Sequence, residues 1–201
     1  MTIDEGLRER KKRETRAALS RAAIRLCVQR GWDDVSLADI AAEANVSERT
    51  FRNYFTSKAE AIAASHLERA LRTADELRAR PADEPIWTAM THAVTVQYEA
   101  HETDEPTAWS TGILRVLGEP AVQGEILKAG AAAQEELSRA IAERTGLDPT
   151  TDLYPRLAAA VVTAATGAVV GHWLLTGPRG PVLPRLRAVL DQLHDGIRGN
   201  E

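Results

Sequence analysis

The stretch Ser36–Lys58, SLADIAAEANVSERTFRNYFTSK, constrains the fold of this chain more than any other. Ser36 is an N-cap residue with a carboxylate, Asp39, in the following turn, and the apolar positions after it recur at i, i+3, i+4 and i+7. Asn45 comes next, and asparagine commonly replaces glycine where the backbone needs a positive φ. Ser47 can cap a second helix. The stretch therefore predicts two short helices joined by a tight turn.

The second of these helices has one apolar face and one polar face. Phe51 and Phe55 are four residues apart, so they lie on the same side of the helix. A small buried face combined with an outer face of arginine, serine, threonine and asparagine is what a DNA recognition helix requires. Base or near-base contacts are expected from Arg49, Thr50, Arg52 and Asn53.

This stretch resembles the helix-turn-helix of the TetR/AcrR family of bacterial transcriptional regulators. The pattern that carries the resemblance is Ser-Leu-x-x-Ile-Ala-x-x-Ala-x-Val-Ser-x-x-Thr-Phe-x-x-Tyr-Phe-x-Ser-Lys. The chain departs from the family at Asn45, where glycine is usual, and at Arg52, where an aromatic residue is common. The resemblance implies an all-α fold of about nine helices, with an N-terminal three-helix DNA-binding domain and a C-terminal helical domain for ligand binding and dimerisation.

Phosphate contacts are expected at the edges of the motif. The family resemblance implies such a contact for Lys58, which would offset the cost of a cation at a helix N-terminus. The basic segment 8–16, RERKKRETR, opens the first helix and is either a phosphate-binding arm or a solvated helical face with Glu–Lys/Arg pairs. The full set of expected phosphate-contacting residues is Ser36, Ser47, Tyr54 and Lys58, supported by Arg13 and Arg16.

Charge is distributed unevenly along the chain. Residues 1–58 carry 12 Lys/Arg and 9 Asp/Glu, a balance of +3, whereas residues 59–201 carry a balance of −7, giving −4 overall. A mildly basic head on an acidic body fits a protein that touches phosphates with one end only, although many solvated helices show a similar asymmetry.

Two prolines divide the predicted helices into domains. A helix beginning at Ser57 runs to about Arg80, and Pro81 and Pro85 then bracket a short acidic break. The predicted domains are a helix-turn-helix domain over 1–58, a connecting helix over 57–80, and an effector-binding and dimerisation domain over 81–201.

Aromatic and apolar residues on the first helices of the body are candidates for an effector pocket. They lie on a helix predicted over 86–101 and on another opened by Pro106. Because such spacing is also typical of an ordinary core, both interpretations stay open. The candidates are Trp87, Met90, Val94, Tyr98, Trp109, Ile113 and Leu117.

Residues 157–175 carry no charge over 19 positions and are the one candidate for a membrane span. Alanine, valine, glycine and threonine dominate the segment, and such residues favour a buried helix at a subunit contact over a lipid-facing one. The family resemblance implies that the last two helices of each protomer form a four-helix dimer interface. The expected contact residues are Ala160, Ala164, Gly167, Ala168 and Gly171, with Leu186, Val189, Leu190 and Leu193.

The second half of the chain is also similar to the mycofactocin-regulator-like TetR proteins, on the string AERTGLDPTTDLYPRLAAAVVTAATGAVVGHWL. That similarity suggests an acyl-CoA-like or other lipophilic effector.

Several site types lack any sequence support. The one cysteine excludes an internal disulfide, and the N-terminal charges are not followed by an apolar signal segment, which favours a cytoplasmic protein. The five histidines lack metal-ligand spacing, and no phosphate loop or nucleophile elbow occurs, so neither a metal, another cofactor nor an enzyme activity is expected.

The predicted function is that of a homodimeric repressor that binds a palindromic double-stranded DNA operator, responds to a small-molecule effector and does not associate with a membrane. Two alternatives remain. One is a helical small-molecule-binding or enzymatic protein that keeps the helix-turn-helix as a scaffold, and the other is a membrane-anchored regulator that uses residues 157–175.

Overall fold

The structure is a computed structural model that describes residues 3–99, 107–176 and 180–196. The described residues form nine α-helices and no strand, which confirms the all-α prediction. The predicted helix limits at His101 and Pro106 lie outside the described residues. The helices are α1 (Ile3–Arg30), α2 (Leu37–Glu43), α3 (Glu48–Arg52), α4 (Lys58–Ala79), α5 (Ile86–Glu99), α6 (Thr107–Gly118), α7 (Pro120–Thr145), α8 (Leu153–Leu175) and α9 (Val182–His194).

Serine caps begin α2 and α3, as the sequence predicts. The Ser36 hydroxyl accepts a hydrogen bond from Asp39 N at 3.1 Å, and the Asp39 carboxylate accepts one from Ser36 N at 2.9 Å. Hydrogen bonds from Ser36 hold the pKa of the Asp39 carboxyl below its ordinary value. At α3, the Ser47 hydroxyl accepts from Thr50 N at 3.1 Å. In both short helices, the capping serine therefore satisfies one of the free N–H groups of the first turn.

The turn between α2 and α3 depends on Asn45, which has a φ of 54°. Its N–H donates to Ala42 O at 3.0 Å, and the N–H of Val46 donates to Ala41 O at 2.9 Å. These bonds end α2 at Asn45, whose backbone has the left-handed conformation. Asparagine adopts this conformation more easily than other residues with a Cβ atom.

The start of α4 resembles a capping box, with one difference. The Ser57 hydroxyl accepts from Glu60 N at 3.1 Å. The Glu60 carboxylate, however, accepts from the N–H and the hydroxyl of Thr56, both at 2.7 Å, instead of from Ser57 N. The acid therefore reaches one residue further back than in the standard box.

The chain forms two compact units, which divide within α4 and place parts of α6 and α7 in the first unit. One unit runs to Leu67 and includes Thr111–Ala129, and the other comprises Glu68–Ser110 with Gly130 onwards. The physical reason lies in α6 and α7, where Val116 and Val122 are buried in the same core as the helix-turn-helix. Sequence periodicity could not assign these apolar residues to one core or the other.

The core of the first unit surrounds Phe51 and Phe55, whose ring centroids are 5.7 Å apart. Gly112 allows α6 to approach α1 closely, because a Cβ atom there would lie 2.6 Å from Val28 Cγ1 and 2.9 Å from Val28 O. The buried apolar residues of this unit include Leu19, Ala22, Ala23, Leu26, Cys27, Ile40, Ala41, Phe51, Phe55, Val116 and Val122.

The core of the second unit is built from α4, α5, α7, α8 and α9. Arg144 of α7 closes the C-terminal end of α4. Its guanidinium donates to the carbonyls of Leu77 and Arg80, at 3.3 and 2.7 Å, and to those of Pro81 and Glu84, at 2.7 and 3.3 Å. The break that the two prolines predict is therefore an ordered loop, because one arginine satisfies carbonyls that the helix end leaves free.

Replacing Asn45 tests the turn. We expect Asn45→Val to lower the free energy of unfolding of the first unit by about 1–2 kcal/mol, because a β-branched residue disfavours φ of 54°. Asn45→Gly, the matched control, should unfold at the same or a higher urea concentration than the wild type. Equal urea midpoints for the valine and glycine variants would contradict the role given to this residue.

Candidate nucleic-acid interface

The outer face of α3 is polar and open to solvent. Arg49, Arg52 and Asn53 are exposed, whereas Phe51, on the opposite side, is fully buried. The Asn53 N–H donates to Arg49 O and Thr50 O at 3.2 and 3.1 Å, so this residue ends the helix through its backbone. Three of the four residues expected to contact bases thus share one accessible surface, and the fourth, Thr50, is partly buried.

Arg52 has an acidic partner that the sequence reasoning missed. Its Nε and Nη2 atoms donate to Glu48 Oε1 at 3.1 and 2.7 Å, one turn earlier on the same helix. The i, i+4 spacing of a glutamate and an arginine was the available signal. The pair orients the guanidinium along α3 and leaves Nη1 without an acceptor among the described residues.

The hydroxyl groups expected to contact phosphates differ in the hydrogen bonds that they already make within the protein. The Ser47 and Thr50 hydroxyl oxygens are 2.9 Å apart at the start of α3, so each can donate to the other. The Ser36 hydroxyl donates to the Asp39 carboxylate. Tyr54 is partly buried and packs against the first core, and its carbonyl accepts a hydrogen bond from an arginine of α1.

That arginine is Arg16, and its guanidinium points inward. Nη1 donates to Tyr54 O at 3.2 Å, and the guanidinium carbon lies 4.4 Å from the centroid of the Phe55 ring. Arg13, three residues earlier on α1, is exposed. Of the two supporting arginines, only Arg13 therefore presents its charge freely to solvent.

Lys58 is also used inside the first unit. Its Nζ donates to Trp32 O and, at 3.0 Å, to Val35 O, and it lies 4.2 Å from the centre of the Trp32 ring system. Two of the three ammonium donors thus bind carbonyls of the loop between α1 and α2. The cost of a cation at the start of α4 is offset within the protein, so a phosphate contact would have to use the remaining donor.

Cys27, the one cysteine of the chain, lies in the buried face of α1. Burial raises the pKa of its thiol above the ordinary value, and the nearby Lys58 charge opposes that increase. Such a thiol is a packing residue with low reactivity.

The seven candidate effector-pocket residues are not brought into one unit. Trp87, Met90, Val94, Tyr98 and Trp109 belong to the second unit, whereas Ile113 and Leu117 belong to the first. Met90, Val94 and Tyr98 are buried members of the second core. Trp87 Nε1 donates to Leu190 O at 3.0 Å, and its ring stacks on His194 at 5.8 Å. For these four residues the structure shows core packing.

The predicted dimer-interface residues divide into an open and a closed group. On α8, Ala164, Gly167 and Ala168 are exposed, and Ala160 and Gly171 are partly exposed. On α9, Leu186 and Leu190 are buried in the second core, at 0% and 1% exposure, because this face of α9 packs on α5 and α8. They are therefore corrected to core residues of the protomer, whereas Val189 and Leu193 remain partly exposed.

The open face of α8 is strongly apolar. Leu153, Leu157 and Leu175 are exposed, and only 17% of the most apolar 18-residue window of α8 is buried in the protomer. By length and composition alone, Leu153–Leu175 is the one helix among the described residues that could cross a membrane. A soluble helix of this kind requires a cover for its apolar face.

Comparison with known proteins gives two family matches and close relatives. Residues 19–64 match the family described as bacterial regulatory proteins, tetR family, and residues 84–198 match the MftR C-terminal domain. The chain is 32% identical over 177 residues to the HTH-type transcriptional regulator TcmR of Streptomyces glaucescens, covering 85% of this chain and 77% of the relative. It is 26% identical to a Mycobacterium tuberculosis protein assigned as the mycofactocin biosynthesis transcriptional regulator MftR, covering 92% and 96%.

A solved structure has the same fold over nearly the whole chain. It is a TetR-family transcriptional regulator from Syntrophomonas wolfei, with a TM-score of 0.64 at 18% identity, covering 94% of this chain and 100% of that one. At this identity the similarity concerns the fold alone.

Replacing Lys58 tests its internal contacts. We expect Lys58→Met, which keeps the aliphatic stem, to lower the free energy of unfolding by about 1–3 kcal/mol, because two buried carbonyls lose a charged donor. Lys128→Met is the control, since Lys128 is exposed and forms its ion pair with Glu125 at the surface of α7. Thermal unfolding followed by circular dichroism measures both, and equal melting temperatures would refute the structural role of Lys58.

Proposed function

The chain belongs to the TetR family of bacterial transcriptional regulators, and from this membership we propose that it is a homodimeric repressor that binds a palindromic operator. A small lipophilic effector releases it from the DNA. The observation that carries the proposal is the exposed polar face of α3, held on a turn and caps of the helix-turn-helix type. The relatives are transcriptional regulators, and the chain is accordingly a regulator and not an enzyme.

In this proposal α3 enters the major groove and reads bases with Arg49 and Asn53. Arginine binds the guanine edge and asparagine the adenine edge through paired hydrogen bonds. Arg52 contributes through the side of its guanidinium that Glu48 leaves free. The hydroxyls of Ser47 and Thr50, together with the charge of Arg13, contact the phosphates and set the register.

Dimerisation through α8 supports the palindromic operator. Two recognition helices on one molecule read two half-sites about one helical turn apart. The open apolar face of α8 is the argument for this contact, since small residues at Ala164, Gly167 and Ala168 allow a second helix to approach closely. Covering this face with a second copy makes a membrane unnecessary, and we propose a cytoplasmic location.

An effector regulates binding only if it prefers one of two conformations of the dimer. The proposed lipophilic class rests on the mainly apolar interior of the second unit and on the match of this region to the MftR C-terminal domain. The release step follows if the effector favours a spacing of the two α3 helices that does not match the operator.

Replacing Arg49 tests base reading. We expect Arg49→Ala to weaken operator binding by about 5- to 150-fold, equivalent to about 1–3 kcal/mol, and to relax the preference at one base pair of each half-site. Mobility shifts with DNA from upstream of the gene provide the measurement. Arg139→Ala, which removes an exposed arginine of α7, is the matched control.

Arg13→Ala separates phosphate contacts from base contacts in the same assay. It should weaken binding evenly across sequences and reduce the slope of log affinity against log salt by about one. Failure of the wild-type protein to shift any upstream fragment would refute the repressor proposal.

A charge on α8 tests the dimer. We expect Ala164→Glu to convert dimers to monomers in sedimentation velocity, because two carboxylates would be placed in a symmetric apolar contact. Ala131→Glu, at an exposed position of α7, is the control and should remain dimeric. A dimeric Ala164→Glu protein would exclude this face as the interface.

A further inference from the structure

Arg69 of α4 is a partly buried arginine without an ion pair in the part of the chain that the structure describes. Its guanidinium carbon lies 4.9 Å from the centroid of the Tyr98 ring on α5. The Nε atom is buried and has no hydrogen-bond partner, and no carboxylate among the described residues pairs with this side chain. Because arginine keeps its charge at all physiological pH values, Arg69 presents a permanent cation in a partly enclosed place.

Other partly buried arginines of the same unit are treated differently. Arg78 binds the carboxylates of Glu136 and Glu143, at 2.8 and 2.7 Å. Arg80 binds Glu84 at 2.8 Å. Arg144 donates to four backbone carbonyls through Nη1 and Nη2, while its own Nε is buried without a hydrogen-bond partner. Each of these three guanidinium groups thus makes at least two hydrogen bonds to acceptors within the unit. Among the described residues, Arg69 has only an aromatic ring beside its guanidinium.

Two buried hydroxyl groups, one on α4 after Arg69 and one on α5 before Tyr98, donate to carbonyls of their own helices. Thr73 is buried and donates to the carbonyl of Arg69 itself at 3.1 Å, and Thr95 is buried and donates to His92 O at 3.2 Å. Each hydroxyl thus satisfies its own helix. The buried Nε–H of Arg69 is left without an acceptor, and a buried donor without an acceptor is costly unless an anion or water satisfies it.

We propose that Arg69 is an anion-binding residue, and that it binds the carboxylate or phosphate group of an amphiphilic ligand while the Tyr98 ring packs against its guanidinium. The planar guanidinium can donate two parallel hydrogen bonds to either group. Val94 lies one turn before Tyr98 on the same apolar face of α5, so we expect a ligand that carries an apolar part beside its anionic group. The inference rests on the proposed function only in identifying this ligand with the effector.

The test measures thermal unfolding of the full-length protein with three ten-carbon probes: decanoate, decyl phosphate and neutral 1-decanol. We expect one or both anions to raise the melting temperature by about 5 °C at saturating concentration, and decanol to have no comparable effect. A response to decanoate alone identifies a carboxylate ligand, and a response to decyl phosphate alone identifies a phosphate ligand.

Variants assign the response to Arg69. Titrations followed by tryptophan fluorescence should show at least tenfold weaker anion binding for Arg69→Gln, and partial recovery for Arg69→Lys, which restores charge without the planar fork. Arg139→Gln, which removes a charge from an exposed position of α7, is the control and should bind like the wild type. Circular dichroism and operator shifts establish that each variant is folded.

Two results would overturn the proposal. One is an equal response to decanol and to the anions, and the other is an Arg69→Gln protein that is folded and binds the anions as tightly as Arg139→Gln does. Operator binding is measured separately, so a protein that binds the anions but no DNA would refute the repressor function and leave the anion site in place.

Discussion

The structure of the DNA-binding face depends on the burial of Phe51. A helix of five residues is too short to be stable alone, since forming the first turn fixes several dihedral angles for a single hydrogen bond. Phe51 and Phe55 place one side of this segment in a core shared with α1, α2 and α4. Once that side is buried, Arg49, Arg52 and Asn53 have only the outer surface available, so the same contacts that form α3 also orient its polar face.

Cations around this core have two different roles. Arg16 and Lys58 donate hydrogen bonds to backbone carbonyls and lie over aromatic rings. These contacts connect α1, the loop before α2 and the start of α4. Arg13 and Arg49 point to solvent. The positive balance of the first 58 residues therefore overstates the charge available to DNA, because part of it stabilises the fold.

In the second unit, three partly buried arginines have acceptors, whereas two other features lack a partner among the described residues. Arg78, Arg80 and Arg144 are matched by carboxylates or carbonyls. In contrast, the apolar face of α8 is largely exposed, and the buried Nε of Arg69 has no hydrogen-bond partner among the described residues. Each is costly in an isolated protomer. We infer that both features are adapted to partners, a second copy for α8 and an anion for Arg69.

The sequence by itself determined the helices and the turn chemistry of this protein. Serine caps, Asn45 and the spacing of Phe51 and Phe55 are local signals, and local hydrogen bonding and periodicity act over a few residues. Tertiary structure alone decided which core receives Val116 and Val122, that Leu186 and Leu190 face inward, and that Lys58 binds the carbonyls of Trp32 and Val35. These outcomes join residues that are far apart in the chain. An apolar periodicity specifies that a face is buried but not against which partner, and a lysine's spacing does not reveal which carbonyl it will reach.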